Sequence, residues 1–388
     1  MSEYNNAEQA TQAERYARQV ALTGFGAEAQ EALAASTVAL IGAGGLGSPA
    51  IQYLAGAGVG RLILIDDDAV DVSNLHRQTI HPTRAVGRAK VDSAREAALA
   101  INPTIQVTTH CCRLTHSNAD GLLEGADVVL DGSDNFPTRH IASAACARRG
   151  IPHVWGSVLG FQAQLSVFWA GHGPIYEDLY PHPPAPGSVP NCAEAGTLGP
   201  IVGVVGSAMA LEAIKLLTGV GEPLMGRIGI FDSLEASWDF VPLQADPSVA
   251  ERIIAHGPVV DEILTTTEVP QACYTGDLPL IDVREAHEFQ AAFIPGAIHI
   301  PLSALAENPS ALAITGPAVV YCAAGVRSAT AIDVWQKLGA SGLVSLAGGI
   351  HAHADRGGPL TRNVSRAGEL GVVVHQDSQA ANGEGDTA

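Results

Sequence analysis

Four glycines, Gly42, Gly44, Gly45 and Gly47, fall in the run GAGGLG between a short apolar stretch and SPAIQYLAGAG. Glycines let a backbone turn tightly and approach a phosphate, whose charge is favoured by a following helix N-terminus. The loop points to a nucleotide, and Asp66 lies near the position from which a carboxylate hydrogen-bonds a ribose. The downstream residues bear on the reaction. A hydride-transfer enzyme must next supply a nicotinamide pocket, whereas a nucleotidyl-transfer enzyme must neutralise a triphosphate. Here the chain supplies Ser73-Asn74-Leu75-His76-Arg77-Gln78, then Lys90, then Asp134 and Asn135 in the run DGSDN. Arg77 and Lys90 balance phosphate charge, and Asp134 is a hard oxygen ligand for the Mg2+ that accompanies ATP. Alone, each reads as a solvated charge or a helix N-cap; together they read as an ATP site.

A second chemistry lies near the other end. Cys322 follows the apolar run Ala318–Tyr321, and Cys-Ala-Ala-Gly-Val-Arg-Ser leads into a helical stretch, Ala329–Leu338. A loop entering a helix N-terminus aims backbone N–H groups at the first side chain, and Arg327 adds positive charge; both favour a thiolate or persulfide. Of the six cysteines, Cys111 and Cys112 are adjacent and the rest scattered, which is neither a disulfide framework nor a CxxC metal site. A reducing, cytoplasmic setting is expected. Cys192 sits in a polar, Pro-rich stretch rather than an apolar run.

Alternating elements must hold these residues. Thr37–Ile41, the glycine loop, a helix and Arg61–Ile65 form one βαβ unit. A helix over about Arg88–Ile101, strands Ile105–Thr109 and Asp127–Leu130, and a helix over Arg139–Arg149 extend a mainly parallel sheet. Gln162–Trp169 alternates as an antiparallel strand, so the sheet gains an antiparallel extension. Gly171–Pro190 is a crossover without periodicity; a helix Ile201–Leu217 and strands at Arg227–Asp232 and Ser237–Leu243 follow. We place a first α/β domain at 1–245, a linker at 246–257, a small α/β domain at 258–356 and a disordered tail at 363–388.

Forty acidic against twenty-one basic residues, net −19, exclude a nucleic-acid footprint and argue against an anionic membrane. The uncharged stretch Ser36–Gly60 is too rich in glycine to read as a membrane span. No secretory h-region opens the sequence.

RYxRQ at Arg15–Gln19, GxGGLG, the run LIDxDxVxxSNLxRQ from Leu64 to Gln78, VGxxK ending at Lys90, DGSDN and NCAEAG at Asn191–Gly196 resemble the MoeB/ThiF family of ubiquitin-activating-type (E1-like) adenylyltransferases, across about residues 12–243. The resemblance implies a Rossmann-like domain and a homodimer that uses ATP and Mg2+ to adenylate the C-terminal glycine of a ubiquitin-fold sulfur-carrier protein ending in Gly-Gly. It also implies that Arg18 reaches the neighbouring subunit's ATP site, and that Cys192 is the covalent attachment point. Leu280–Phe289 (LIDVREAHEF), Ile294–Leu302, the Cys322 loop and Leu346–Ala352 resemble a rhodanese domain, implying a persulfide on Cys322, loaded by a donor such as a cysteine desulfurase. One departure is plain. Family members commonly hold a structural zinc with two CxxC pairs, but the matching positions here are Ile175, Asp178, Val249 and Arg252, so no structural zinc site is expected.

Sulfur transfer to an acyl adenylate unites both halves, with Cys192 holding a thioester or resolving an acyl-disulfide. The sulfur-carrier pathway stays open. Adenylation of a different carboxylate, a non-catalytic scaffold binding a ubiquitin-fold partner, and an NAD-dependent oxidoreductase are the competing readings. The last leaves Arg77, Lys90 and the Cys322 loop unused.

Overall fold

A computed structural model describes residues 13–183, 196–258, 264–314 and 316–362. The chain divides into two compact units, Met1–Val260 and Asp261–Ala388.

The first unit opens with helix α1 (residues 13–20), followed by α2 (Gly26–Ala35), β1 (Thr37–Ile41), α3 (Gly47–Ala57) and β2 (Arg61–Ile65). Next come α4 (Lys90–Ile101), β3 (Gln106–His110), α5 (Ala119–Leu122), β4 (Val128–Asp131), α6 (Phe136–Arg149) and the hairpin β5 (His153–Leu159) and β6 (Gln162–Phe168). α7 (Tyr176–Leu179), α8 (Gly199–Thr218), β7 (Arg227–Asp232), β8 (Ser237–Pro242) and α9 (Pro247–His256) complete the unit. The sheet order is β3-β2-β1-β4-β5-β6-β7-β8. β3 through β5 pair in parallel, and β5 to β8 pair antiparallel. β1, TVALI, and β2, RLILI, are apolar runs because helices cover both faces of a parallel sheet. The chain leaves β1 toward β2 on one side and reaches β4 on the other, so a crevice opens at the carboxyl ends of these strands.

α8 is long and apolar enough, by length and composition, to cross a membrane, with a mean hydropathy of 1.7. One face of it packs into the core: Ile201, Val202, Val205, Met209 and Ala213 are buried, and it packs on α2, α3 and strands β4 to β6, while Val204 and Leu211 are exposed.

Residues 246–257, read as a linker, instead contain α9. Asp246 caps the helix by accepting the Ser248 N–H at 2.9 Å, and Ile253 is buried with Ile175 and Ala144, with Val249 packed beside them. The stretch was missed because only one face of the helix is apolar and the rest resembles a polar connection. Asp178 joins the crossover to this helix, accepting the N–H of Ile175 at 2.7 Å and of Asp246 at 3.0 Å. Burial raises the Asp178 pKa. Three of the four positions matched to zinc ligands, Ile175, Asp178 and Val249, thus lie in an aliphatic cluster and a carboxylate hinge. Asp178→Ala should cost about 2 kcal/mol in urea denaturation, the magnitude for hydrogen bonds to a charged acceptor. An unchanged midpoint would mean that α9 docks by its apolar face alone.

The second unit contains β9 (Leu264–Thr266), α10 (Gln271–Thr275), β10 (Leu280–Asp282), α11 (Ala286–Ala291), β11 (Ala292–Phe293), β12 (Ala297–His299) and α12 (Leu302–Glu307). β13 (Ala318–Tyr321), α13 (Val326–Lys337), β14 (Leu343–Leu346), α14 (Gly349–Asp355) and β15 (Thr361–Arg362) follow. Five parallel strands run β12-β10-β13-β14-β9, and β11 pairs with β15. Trp335, Ile332, Val320 and Leu305 are among the buried side chains of its core. The expected tail, 363–388, lies outside the described residues.

Candidate active site

The crevice at the strand ends is a cleft lined by Gly42, Gly44, Gly45, Asp66, Arg77, Gln78, Lys90, Asp134 and Asn135, with Arg139, Ser133 and Thr197 on the same walls. Gly42 turns the chain at φ 91°, with the Gly132 carbonyl against its open side. Gly47 is off the wall: a Cβ there would overlap the Gly42 carbonyl oxygen, so its bareness closes the turn from behind. Asp66 accepts the N–H groups of Ala43 and Asp68, each at 2.8 Å. Burial raises its pKa, against the opposing pull of Lys90. Lys90 begins α4, is 5% exposed, and its Nζ lies 2.6 Å from Asp68 Oδ2. Arg77 donates to the Ser73 carbonyl at 3.2 Å and to Asn74 Oδ1 at 2.8 Å. Ser73, Asn74, Leu75 and His76 therefore build the turn that aims Arg77, while Arg77 and Gln78 of this run reach the cleft wall. Asp134 is exposed on the wall, and the Asn135 side chain caps α6 by accepting the Thr138 N–H at 2.9 Å.

The chemistry of the donor set fits a nucleotide. Three buried polar atoms on these walls, Gln78 Oε1, Ser133 Oγ and Thr197 Oγ1, have no hydrogen-bond partner among the described residues. Buried polar groups are ordinarily satisfied, so such atoms mark places for a polar ligand or water. The cations Lys90, Arg77 and Arg139 with the bare glycine backbone suit polyphosphate.

Three supports were not foreseen from the sequence. His81 is 4% exposed; its Nε2–H donates to the Ala43 carbonyl at 2.9 Å while Nδ1 accepts from Ser93 Oγ at 3.0 Å, fixing the glycine loop. No local motif announces it, since the partner loop is far away in sequence. Arg139 donates to the Ser133 carbonyl and Ser157 Oγ, and lies over the rings of Phe136 and Trp155 at 5.1 and 5.7 Å. Its place one helical turn beyond Asn135 was the available signal. Asp68, the Lys90 partner, stands in the acidic run Asp66–Asp68 and was passed over for Asp66.

Burial lowers the His81 pKa below its ordinary value near 6.5. The unfolded chain takes up a proton around that pH, while the folded one resists it until a lower pH. The neutral imidazole's contribution is therefore intact above pH 6.5 and lost as pH falls through the lowered folded value. His353, buried in the second unit, acts in the same direction. Between pH 7.5 and 5.5 the melting temperature should fall, and His81→Gln should flatten that fall in calorimetry; an unaltered slope would mean the His81 proton is not coupled to folding.

In the second unit, Cys322 directly follows β13 and is 1% exposed. Its Sγ accepts the Gly325 N–H at 3.1 Å and lies 3.6 Å from Ser328 Oγ. Gly325 adopts φ 98°, and Gly349 packs so closely on the Cys322 and Ala323 carbonyls that no side chain fits there. Arg327 follows in α13, but its guanidinium is paired with Glu288, so its charge is largely offset. Arg18 on α1 is exposed and makes no hydrogen bond or ion pair among the described residues. Cys192 lies outside the described residues.

Residues 16–250 match the model of the ThiF family. The chain belongs to the ThiF family. Residues 265–355 match the rhodanese-like domain, so this ThiF-family chain is an adenylyltransferase carrying a sulfurtransferase domain. Membership implies the use of ATP. The protein named "Probable adenylyltransferase/sulfurtransferase MoeZ" from Mycobacterium tuberculosis is 44% identical over 361 residues, covering 88% of this chain and 92% of that one. Adenylyltransferase and sulfurtransferase MOCS3 of Aedes aegypti is 34% identical, over 87% of this chain and 86% of its own. A sulfur carrier protein adenylyltransferase of Thermus thermophilus is 45% identical over 239 residues, covering 60% of this chain and 88% of its own. Among solved structures, E. coli MccB superposes with a TM-score of 0.54 at 22% identity, over 60% of this chain and 70% of that one. PaaA gives 0.53 at 23% identity, over 61% and 75%. These two share the ThiF-family fold.

Proposed function

We propose that this chain adenylates the C-terminal glycine carboxylate of a ubiquitin-fold sulfur-carrier protein ending in Gly-Gly, then converts it to a thiocarboxylate with sulfur from a persulfide on Cys322. The observation that carries the reading is the pairing, in one chain, of a cation-walled glycine cleft with a cysteine whose sulfur accepts a loop N–H ahead of a helix. Gly42, Gly44 and Gly45 cradle the nucleotide, Asp66 takes the ribose, and Arg77, Lys90 and Arg139 face the phosphates. Asp134 would hold Mg2+, which supplies charge neutralisation across the triphosphate. An ionised carboxylate attacking the α-phosphorus needs no general base, only alignment and charge balance. The carboxylate oxygen forms the new P–O bond and pyrophosphate leaves with the electron pair of the old one.

The terminal sulfur of the Cys322 persulfide then attacks the acyl carbon and AMP departs. A thiol cleaves the resulting acyl-disulfide, releasing the thiocarboxylate and taking Cys322 into a disulfide. Cys192 is either that resolving thiol or the holder of the acyl group as a thioester. The enzyme works as a cytoplasmic homodimer, Arg18 serves the neighbouring subunit's cleft, and a persulfide-bearing protein such as a cysteine desulfurase supplies the sulfur. Adenylation belongs to the first unit and persulfide chemistry to the second.

Intact-mass analysis of candidate Gly-Gly carriers with this protein, MgATP and a persulfide donor tests the reading. One carrier should acquire AMP and then exchange its terminal oxygen for sulfur. No change on any carrier, despite ATP binding, would leave the adenylated carboxylate elsewhere.

A further inference from the structure

Within Cys322–Ser328 the only lysine or arginine is Arg327. Both of its terminal nitrogens donate to the two carboxylate oxygens of Glu288, at 2.6 and 2.7 Å. Bidentate pairs are the strong form of the arginine–carboxylate interaction, and Arg327 pulls the Glu288 pKa down to about 2. The side chains are 31% and 25% exposed, so the pair is open to approaching solutes. The sulfur itself accepts a neutral donor, the Gly325 N–H, and the neutral Ser328 hydroxyl lies 3.6 Å away, 2.9 Å from the Gly325 carbonyl. The loop thus offers an incoming sulfur donor hydrogen bonds but little net charge.

We propose that Glu288 is a specificity-determining residue for the sulfur donor. By neutralising Arg327 it biases the Cys322 loop against small dianionic sulfane-sulfur donors, such as thiosulfate, and toward the singly charged persulfide of a thiol. The proposal rests on the reading of Cys322 as the persulfide carrier. In either transfer the Cys322 thiolate attacks the outer sulfur and the old S–S bond breaks. Sulfite leaves with the electron pair from thiosulfate; a thiolate leaves with it from a persulfide. Coulomb attraction scales with the product of the charges, so unmasking Arg327 should aid a dianion by about the square of the factor by which it aids a monoanion.

The test is Glu288→Gln in the full chain. Glutamine keeps the shape, an oxygen for Arg327 and the acceptor that Glu288 gives to the Glu285 N–H at 3.1 Å in the first turn of α11. Persulfide on Cys322 would be followed by intact mass while thiosulfate or an alkyl persulfide of otherwise uncharged structure is titrated. We expect KM to fall about tenfold for thiosulfate and about threefold for the alkyl persulfide, with kcat little moved, both gains shrinking in high salt. Glu288→Asp, which keeps the charge, should restore the wild-type ratio of the two KM values. Equal changes for both donors, no change, or an aspartate variant matching the glutamine one would overturn the proposal. Wild-type protein that loads neither donor's sulfur onto Cys322 would overturn the persulfide-carrier reading as well.

Discussion

Lys90→Ala should lower the rate of ATP–pyrophosphate exchange about a thousandfold while leaving persulfide loading of Cys322 intact, the magnitude being that of removing one well-placed stabiliser of transition-state charge. Lys90 is buried at the start of α4 and paired with Asp68, so its charge is held in place rather than waving in solvent. The alanine variant removes this cation from a wall that keeps Asp66 and Asp68. A pocket built to receive a polyanion would then carry uncompensated carboxylates, and Asp66, already raised by burial, loses the coulombic pull that opposes the rise. Binding and turnover should both suffer. Exchange within tenfold of wild type would place the phosphates away from Lys90. Mass analysis of Cys322 in the same preparation separates loss of the cleft from loss of the chain.

Cys322→Ala should do the reverse, abolishing thiocarboxylate formation while pyrophosphate exchange stays within about twofold, because the substitution removes the nucleophile proposed to receive sulfur and leaves every residue of the cleft in place. The substitution deletes a single buried sulfur atom, so the Gly325 N–H loses its acceptor and the space left behind is no larger than that one atom. Loss of exchange in this variant would mean that the two chemistries are not separable. Residual thiocarboxylate above a few per cent would mean that another cysteine carries the sulfur.

Much of the framework could be read from residue pattern, for physical reasons. β1 and β2 are buried on both faces, so their sequences are unbroken aliphatic runs, and the glycines between β1 and α3 have no other economical reading. The antiparallel hairpin partner β6 alternates because one face is more exposed. Boundaries were less legible: α4 was expected from about Arg88, yet begins at Lys90, because the backbone on either side of Ala89 is bridged to Asp68 and Val70. α9 escaped notice because its burial depends on Ile175 and Ala144, residues contributed by distant segments. The same cause hid His81, whose role is defined by the Ala43 carbonyl, and masked the state of Arg327, whose charge is decided by Glu288. Residue types announced which groups could take part; partners remote in sequence determined how each is held.

The clip around Asp178 also bears on the chemistry the chain handles. Persulfides and thiocarboxylates are soft ligands that compete for thiolate-bound metal, and oxidants consume the thiolates themselves. A fold fastened here by Ile175, Ile253 and two backbone amides on a carboxylate presents nothing for either to extract. At this point the packing holds no thiolate for a metal or for reactive sulfur to contest.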